Sequence, residues 1–399
     1  MALVLTLFFG VLLAVGIMLL VLLLLPLVIY LISRKRYPIL HPQAPGKTLG
    51  GIVVTGASTG IGRHAALYLV KQGFLVFAGV RKAADGEALL HAYQEEESSE
   101  ATTTTTNKGG VLHPLILDVT NPAQITAALR SVQDELARRG NLPFLGLINN
   151  AGVTGGADPV EFLPLDYNRY AFEVNYHGPL AVTKAFLPLL RQEPQGRIVN
   201  VSSIAGTVTR PLGAIYSCTK FALEALSDTL RVELEHLGVS VSVIQPGYIR
   251  SEIFGKAMEQ HEQRVQELPE ECEGLYGHFY ALKKEDRLIA KASDPIVCSK
   301  AIHHALTSAY PKVSRWVVGR EGWERGMGFG FIDRYFESYI FQKGEYFLKL
   351  KTKNRSLFPH PVSSSPHPFL PPLPKDEVPA RKCEWYARVL VELGHLVVE

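Results

Sequence analysis

From residue 51 onward, short apolar segments alternate with longer amphipathic ones, and this alternation constrains the fold more than any other feature. The first apolar segment, GIVVTG (51–56), is followed by a helical pattern, RHAALYLVKQG (63–73), and by a second apolar segment, FLVFAGV (74–80). Strands buried on both faces read as continuous apolar runs, and a helix between two such strands allows them to lie parallel. We therefore predict an α/β fold: a single Rossmann-like, doubly wound parallel sheet with helices on both faces.

The same alternation continues to the end of a long domain. Further strands are predicted at PLILDV (114–119), FLGLINNAG (144–152), GRIVNVSS (196–203) and VSVSVIQPG (239–247). Within a polar insert (84–110), EEESSEATTTTTNKGG (95–110) is too polar and repetitive to pack, and we expect a disordered surface loop there. The predicted domain covers 51–345, and a Pro/Ser-rich tail (346–399) follows it.

The first 33 residues carry no charged side chain. The run at 11–32 alone exceeds the roughly 20 apolar residues that span a bilayer. A cleavable signal peptide would have a basic start and a shorter apolar core, so we predict a permanent N-terminal transmembrane helix at 1–33. Three bases, RKR (34–36), begin the linker (34–50), and the positive-inside rule then places the rest of the chain in the cytosol.

Overall composition excludes several classes of protein. Apolar residues make up 47% of the chain and charged residues 20%, and the net charge of +3 gives no electrostatic reason to expect a nucleic-acid partner. The four cysteines are scattered, without a CxxC pair or a histidine cluster at metal-ligand spacing. We expect reduced thiols and no metal site.

A glycine-rich turn, TGASTGIG (55–62), directly follows the first predicted strand and opens the first helix. Gly56, Gly60 and Gly62 permit a tight turn and let the backbone approach a pyrophosphate at the helix N-terminus. The spacing TGxxxGxG differs by one residue from the GxGxxG fingerprint. In this strand–turn–helix context it predicts a dinucleotide site.

The end of the second predicted strand should meet the adenosine ribose of such a cofactor. An enzyme that prefers NAD usually has an acidic residue there, but GVRKAAD places Arg81 and Lys82 at this point, and Asp85 lies too far along. A basic pair suits the 2′-phosphate of NADP. NADP(H) is therefore the favoured cofactor, with NAD(H) as the alternative.

The heptapeptide AIYSCTK (214–220) places Tyr216 and Lys220 four residues apart, at the start of a helical stretch (221–238). Residues i and i+4 are neighbours on a helix, and a nearby ammonium favours the phenolate form of tyrosine. Five leucines at helical spacing should anchor this helix in the core: Leu223, Leu226, Leu230, Leu234 and Leu237. The pair would then be held rigidly for acid–base chemistry.

These motifs together resemble those of the short-chain dehydrogenase/reductase superfamily. In chain order they are TGASTGIG (55–62), LDV (117–119), NNAG (149–152), VNYHG (174–178), VSS (201–203), YSCTK (216–220) and PGYIRS (246–251). The resemblance covers roughly residues 50 to 320. With these motifs and its apolar N-terminus, the chain resembles the membrane-anchored branch of the superfamily, which includes retinol and hydroxysteroid dehydrogenases.

The resemblance implies a role for each matching residue. Tyr216 would be the general acid/base, Lys220 would favour its phenolate and hold the nicotinamide ribose, Ser203 would polarise the substrate oxygen, and Asn175 would hold a water in the proton relay. The implied cofactor contacts are Gly56, Ser58, Thr59, Gly60, Ile61, Gly62, Arg81, Lys82, Asp118, Val119, Asn150, Ala151, Gly152, Tyr216, Lys220, Pro246, Gly247, Ile249 and Ser251, with Asn149 supporting the sheet. The family usually has threonine where Ser251 stands.

The expected function is hydride transfer between NADP(H) and a hydrophobic alcohol or ketone that is steroid-, retinoid- or lipid-like and partitions from the membrane. Segments 252–260 and 274–284 mix apolar, aromatic and charged residues, as a mobile lid over the substrate would. Two alternatives stay open: an NAD-dependent dehydrogenase of a similar substrate, and a non-catalytic membrane adaptor that binds dinucleotide. The resemblance suggests the endoplasmic reticulum, and a homo-oligomer is an open alternative to a monomer.

Overall fold

The computed structural model describes residues 36–37, 47–100, 109–156, 158–193, 196–209, 211–251, 264, 268–284 and 292–317, with scattered positions between 10 and 24. Among these residues, no helix combines the length and the apolar character needed to cross a bilayer. The predicted anchor (1–33) falls almost wholly outside the described residues, and the predicted tail (346–399) lies entirely outside them. The domain boundaries therefore stay predictions.

The described strands form one parallel sheet, as the alternating pattern predicts. They are β1 Gly51–Val54, β2 Leu75–Val80, β3 Val111–Ile116, β4 Phe144–Asn149, β5 Arg197–Val201, β6 Ser240–Pro246 and β7 Ser314–Val317. Their order across the sheet is β3-β2-β1-β4-β5-β6-β7, and every neighbouring pair is parallel. This is a Rossmann-like, doubly wound order, whose direction reverses between β1 and β4.

Helices cover both faces of the sheet. They are α1 Gly60–Lys71, α2 Ala83–Glu100, α3 Pro122–Arg138, α4 Leu165–Phe172, α5 Gly178–Leu190, α6 Ala214–Leu234, α7 Glu270–Lys284 and α8 Ile296–Thr307. Helices α1, α2 and α8 supply one buried cluster and α3, α5 and α6 the other. Because each connecting helix runs antiparallel to the strands, its first turn lies at their carboxyl ends and its last turn at their amino ends.

The predicted loop at 95–110 is wrong in its first part, because Glu95 to Glu100 form the end of α2. Leu89 of this helix is buried, and Glu96 forms an ion pair with Lys71 of α1, with 3.0 Å between carboxylate and ammonium. Alanine, glutamate and glutamine have good intrinsic helix propensity, and this favours a helix where the polar composition had predicted a loop. Residues 101–108 lie outside the described residues.

The leucine face predicted for α6 is largely confirmed. Leu223, Leu230 and Leu234 are buried and Leu226 is partly buried, but Leu237 is 38% exposed. The α-helix ends at Leu234 and a 3₁₀ turn follows, so the helical period no longer points Leu237 inward. Gly238 then ends the turn with a φ of 78°, as expected of glycine at this position.

Candidate active site

The glycine turn between β1 and α1 is built from backbone conformations that other residues adopt with strain. Gly56 has φ 66° and Gly60 has φ 56°, both in the left-handed region. A Cβ on Gly62 would lie 2.2 Å from the carbonyl oxygen of Gly56. The three glycines are therefore required for this turn, and TGxxxGxG differs from GxGxxG because the turn holds one more residue.

The turn leaves the N-terminus of α1 open toward the carboxyl end of the sheet. Within Thr59 to Arg63, all of which the structure describes, no acidic side chain is present and the Thr59 hydroxyl makes no capping bond. The first N–H groups of a helix need an acceptor, and the helix dipole favours an anion there. This end of α1 is suited to a pyrophosphate.

The chain after β4 is fastened to the same turn. The Thr55 hydroxyl oxygen accepts hydrogen bonds from the backbone N–H groups of Asn150 (2.9 Å) and Ala151 (3.0 Å). The Asn150 amide donates in return to the carbonyls of Thr55 (3.0 Å) and Gly56 (3.1 Å). The predicted cofactor residues of 150–152 are thus brought beside the glycine turn, at the point where the strand order reverses.

Tyr216 and Lys220 lie in the first turns of α6, as the spacing predicts. Lys220 is buried, its Nζ donates to the carbonyl of Val201 at 3.0 Å, and it lies 5.6 Å from the centre of the Tyr216 ring. Burial lowers the pKa of Lys220 to about 8, while the negative charge of Glu224 acts to raise it. The pKa of Lys220 therefore lies close to neutral pH, and its ammonium lies beside the phenol.

Asn175 lies in a π-helical turn, Glu173–His177, between α4 and α5. Its side-chain nitrogen donates to the Val153 carbonyl (2.8 Å) and the Thr219 hydroxyl (2.9 Å), and its oxygen accepts from the Val153 N–H at 2.8 Å. Thr219 itself donates to the carbonyl of Tyr216 at 2.9 Å. The asparagine thus joins the segment after β4 to the first turn of α6. Motif spacing did not predict the π turn, a deviation that often occurs at functional sites.

Gly152 lies next to both the Asn175 side chain and the Lys220 ammonium. A Cβ on this residue would lie 3.3 Å from the side-chain oxygen of Asn175 and 3.6 Å from the ammonium of Lys220. Only a glycine leaves the space between the two groups clear.

Ser203 follows the carboxyl end of β5. Its hydroxyl oxygen accepts from the N–H of Ala205 at 3.1 Å and makes a long bond, 3.4 Å, to the carbonyl of Pro246 at the end of β6. Asn149, predicted as a support, donates to Asn200 and Thr183 across the buried sheet, at 2.8 and 3.0 Å. Ser203 is therefore at the same edge as the glycine turn.

The loop after β6 turns its backbone toward this edge. Ser293 bonds to the residues on either side of Ile249, donating to Tyr248 and accepting from Arg250, both at 2.9 Å. The N–H and C=O of Ile249 therefore point away from Ser293, while its side chain is buried in the core. A contact with a cofactor would use the Ile249 backbone. Ser251 reaches the glycine turn, where its Cβ lies 3.1 Å from the position of a Cβ on Gly60.

The predicted adenosine contacts lie at the ends of β2 and β3. Arg81 and Lys82 directly follow β2 and are exposed, whereas Asp85 in the first turn of α2 is half-buried. Asp118 and Val119 were predicted to lie in a strand, but β3 ends at Ile116 and both residues follow its carboxyl end. The Asp118 carboxylate accepts from the N–H and hydroxyl of Thr120, at 2.9 and 2.7 Å.

A row of hydrogen-bonded polar side chains next to Lys220 was not predicted from the sequence; Glu224 and Gln245 in it are buried. Glu224, one helical turn beyond Lys220, is 3% exposed. It accepts a hydrogen bond from Gln245 of β6 at 2.9 Å, and Ser314 of β7 donates to Gln245 at 2.7 Å. The signal was present in the sequence, because Tyr216, Lys220 and Glu224 share one helical face at i, i+4 and i+8. Only the packing shows that this acid is buried.

Segment 158–169, Arg264 and helix α7 contact one another, and we call this group the cap. The hydroxyl of Tyr276 in α7 donates to Glu161 at 2.8 Å, and its ring packs edge-on against Phe162. Arg264 pairs with Asp158 at 3.1 Å. Of the predicted lid segments, 252–260 falls outside the described residues, and 274–284 is helical as part of α7.

Comparisons with known proteins agree with this architecture. The family model described as short chain dehydrogenase matches residues 51–262. Retinol dehydrogenase 5 of Homo sapiens is 33% identical over 270 residues, covering 65% of this chain and 78% of that protein. The 17-beta-hydroxysteroid dehydrogenase type 6 of Bos taurus is 34% identical over 275 residues, covering 67% and 80%.

A solved structure extends the likeness to the three-dimensional level. A short-chain dehydrogenase from Streptomyces avermitilis superimposes with a TM-score of 0.54 at 25% identity, covering 77% of this chain and 98% of that one. The family model spans more than half of the chain and ends well beyond the Tyr216–Lys220 pair. On this combined ground, the chain belongs to the short-chain dehydrogenase/reductase family of NAD(P)-dependent oxidoreductases.

Proposed function

We propose that this chain is a membrane-anchored, cytosol-facing oxidoreductase that uses NADP(H) and acts on a hydrophobic alcohol or ketone. The observation that carries the proposal is the meeting of Lys220 and Asn175 at Gly152, with the Tyr216 ring 5.6 Å from the Lys220 ammonium. The glycine turn and the open N-terminus of α1 lie at the same carboxyl edge of the sheet. A dinucleotide and a proton donor can therefore meet there.

The residues at this edge fit a dinucleotide. The α1 N-terminus would hold the pyrophosphate, Lys220 the nicotinamide ribose, and the Ile249 backbone the nicotinamide amide. Glycines 56, 60 and 62 let the turn pack closely against Ala151, Ser251 and its own backbone, since a Cβ on any of them would lie within 3.1 Å of another protein atom. When bound, the cofactor supplies or accepts the hydride.

The chain itself manages the proton and the charge on the substrate oxygen. Tyr216 donates its phenolic proton to that oxygen during reduction and takes it back during oxidation. The nearby ammonium of Lys220 stabilises the resulting phenolate. Ser203 exchanges its long bond to Pro246 for a hydrogen bond to the substrate oxygen.

Asn175 contributes through position. Both N–H groups of its amide are already donated within the protein, so the side chain fixes the Val153 segment and the α6 first turn. Its oxygen faces the same side of Gly152 as the Lys220 ammonium. A water between those two groups is the relay that we propose.

Glu224 should set the charge state of Lys220. In Glu224→Gln the hydrogen bond from Gln245 is retained, because an amide oxygen also accepts, but the negative charge is lost. Since Glu224 raises the pKa of Lys220, the variant should lower it below about 8. Lys220 then loses its proton at lower pH, so the alkaline fall of kcat/KM should move to lower pH.

The exposed acid Glu233 on the same helix provides the matched control, and Glu233→Gln should leave the pH profile unchanged. Glu224→Asp should shift the pH profile less than Glu224→Gln does, because it keeps the negative charge. An unchanged alkaline limb in Glu224→Gln would show that Glu224 is only a packing residue.

The preference for NADP(H) is supported by the two cations after β2. Arg81 and Lys82 are exposed, and no ion-pair partner for either is found among the described residues. The nearest acid along the chain, Asp85, begins the next helix. Two exposed cations are therefore available to a 2′-phosphate at the end of β2.

The hydrophobic substrate is supported by the relatives, which act on retinol and hydroxysteroids as their names state. The cap also exposes apolar side chains, with Val160 at 73%, Leu165 at 65% and Leu275 at 52%. An assay in detergent with steroid, retinoid and lipid-like alcohols and ketones tests the proposal, following NADPH and NADH absorbance side by side. Turnover faster with NADH would favour the NAD-dependent alternative, and dinucleotide binding without any turnover would favour the adaptor.

The anchor is supported by the uncharged run at 1–33. The described positions within it include Leu13, Met18 and Leu20, which are exposed at 67%, 55% and 54%. We expect the full chain to stay in membranes after alkaline washing, and the domain to be open to protease on the cytosolic side of sealed microsomes. Release of the chain by the wash would contradict the proposed anchor. Protection of residues beyond 50 from protease would contradict the proposed topology. The family resemblance makes the endoplasmic reticulum our proposed location.

A further inference from the structure

The chain enters the folded domain at the amino ends of the strands. Tyr37 donates its backbone N–H to the carbonyl of Ala309 at 2.9 Å, in the connection that leads into β7. The guanidinium of Arg197, the first residue of β5, lies 4.8 Å from the centre of the Tyr37 ring. Tyr37 is therefore pinned to this edge of the sheet, which we call the amino edge.

Arg197 is a firm attachment point. It is fully buried and donates to the hydroxyl of Ser240 at 3.0 Å and to the carbonyl of Ser308 at 3.2 Å. Burial lowers its pKa to about 10, so it remains charged at neutral pH. A buried cation over an aromatic face attracts it more strongly than an exposed one does.

The distance from Tyr37 to the end of the uncharged run is short. Tyr37 is four residue steps from Ser33, and an extended chain covers at most about 3.6 Å per step, or about 14 Å in all. The candidate active site is much farther away. Helix α6 carries Tyr216 at one end and meets Glu235 at the other, and a rise of 1.5 Å per residue separates them by about 28 Å.

The charge of the amino edge suits a lipid surface. Its exposed or half-exposed bases lie at the ends of helices or just before strands: Arg36, Lys47, Arg138, Arg139, Arg191 and Lys312. Arg138 and Arg139 share one acid, Glu135, and the further acids at this edge include Glu193 and Glu235. Bases near an anionic leaflet are attracted to it by about 1 kcal/mol each.

The cap at the opposite edge has the reverse character, although Arg81 and Lys82 are exposed elsewhere at that edge. The cap presents the exposed acids Glu161, Asp166, Glu270, Glu271 and Glu273, while Arg264 and Arg169 are paired with Asp158 and Asp166. An anionic leaflet would repel this surface.

We propose that the basic amino edge lies on the anionic headgroups of the bilayer, held there by the Tyr37 attachment, and that the candidate active site opens away from the membrane. The inference rests on the proposed anchor. It also changes the expected route of the substrate. A substrate would arrive through water or on a carrier and would not enter sideways from the bilayer.

The test uses the full chain in vesicles of phosphatidylcholine with phosphatidylserine, with Cys218 and Cys383 replaced by serine. Cys272 and Cys298 are buried at 1% and 0% exposure and stay in place. One fluorophore is attached in Lys312→Cys, at the amino edge, or in Glu273→Cys, on the cap. Headgroup-spin-labelled lipid should quench the label at 312 strongly and leave the label at 273 nearly unquenched.

Two further measurements separate the possible failures. Tyr37→Ala should reduce the difference between the two labels, because the domain is then free to rotate on its linker. Neutralising Lys47 or Arg191 should lower the docked population about fivefold per base in phosphatidylserine vesicles, and not in phosphatidylcholine alone.

Each result decides between the proposals. A chain that does not float with the vesicles lacks the anchor, and the docking face is then rejected with it. A chain that floats but shows equal quenching at both positions, or stronger quenching at 273, keeps the anchor and overturns the orientation. Unchanged label differences in Tyr37→Ala would also contradict the role of the Tyr37 attachment.

Discussion

Tyr216→Phe is expected to lower kcat by about 10²- to 10⁴-fold while leaving dinucleotide affinity nearly unchanged. The substitution removes only the oxygen that carries the proton and keeps the ring beside Lys220, 5.6 Å from the ammonium. The measurements are kcat in detergent with an active substrate and the Kd for the cofactor. Tyr310→Phe, at the opposite edge of the sheet, is the matched control and should behave as wild type.

Lys220 should show a different pattern, which separates the two roles. Lys220→Ala should weaken both turnover and cofactor binding, because the ammonium serves the phenolate and the ribose together. The side chain is buried, so the thermal unfolding of Lys220→Ala and of the similarly sized Lys220→Met is measured to exclude loss of the fold. If Tyr216→Phe retained more than about a tenth of the wild-type rate, the acid–base assignment would be wrong.

Arg81→Asp is expected to reverse the preference between NADP(H) and NAD(H). The guanidinium can meet a 2′-phosphate with paired, charge-assisted hydrogen bonds, whereas an aspartate repels the phosphate and accepts from the ribose hydroxyl. A hydrogen bond to a charged group contributes about 1.5–3 kcal/mol, which is roughly 10- to 150-fold in affinity. The change should therefore be visible as a reversed ratio of kcat/KM for the two cofactors.

Charge alone must be excluded as the cause. Arg130→Asp makes the same charge change on the exposed surface of α3 and should leave the ratio unaltered at the same ionic strength. Equal ratios in wild type and Arg81→Asp would show that Arg81 points into solvent, and the NADP(H) proposal should then be dropped.

The proposed orientation turns the candidate active site away from the membrane, although the proposed substrate is hydrophobic. A site about 28 Å from the amino edge is several Debye lengths from the headgroups at physiological salt. The apolar side chains exposed on the cap, such as Val160 and Leu275, then face water or a second macromolecule. The anchor would fix the enzyme near its membrane without feeding it from the bilayer.

The amino-acid sequence alone determined six of the seven described strands and the positions of the main motifs, but not β7 (Ser314–Val317). Strands buried on both faces are continuous apolar runs, so β2 (Leu75–Val80) and β4 (Phe144–Asn149) were visible in the sequence. The glycine turn and the Tyr216–Lys220 spacing were equally visible, because they depend on backbone sterics and on the helical period, which are local properties.

Local pattern failed where non-local packing decides the outcome. The end of α2 has good local helix propensity, but its ion pair with Lys71 of another helix is a contact that sequence pattern does not show. The strand predicted at 114–119 was placed too late because its register is set by β2, which pairs Val80 with Ile116 and no farther.

Only the tertiary structure decided which polar groups share an environment. Burial places Glu224 behind Lys220 and threads Gln245 and Ser314 into the same chain of hydrogen bonds. It also places Tyr37 against Arg197, although the two are far apart in sequence. The sequence names the groups that can carry charge, but the energy of each charge depends on the dielectric and the partners around it, and these exist only after the chain has folded.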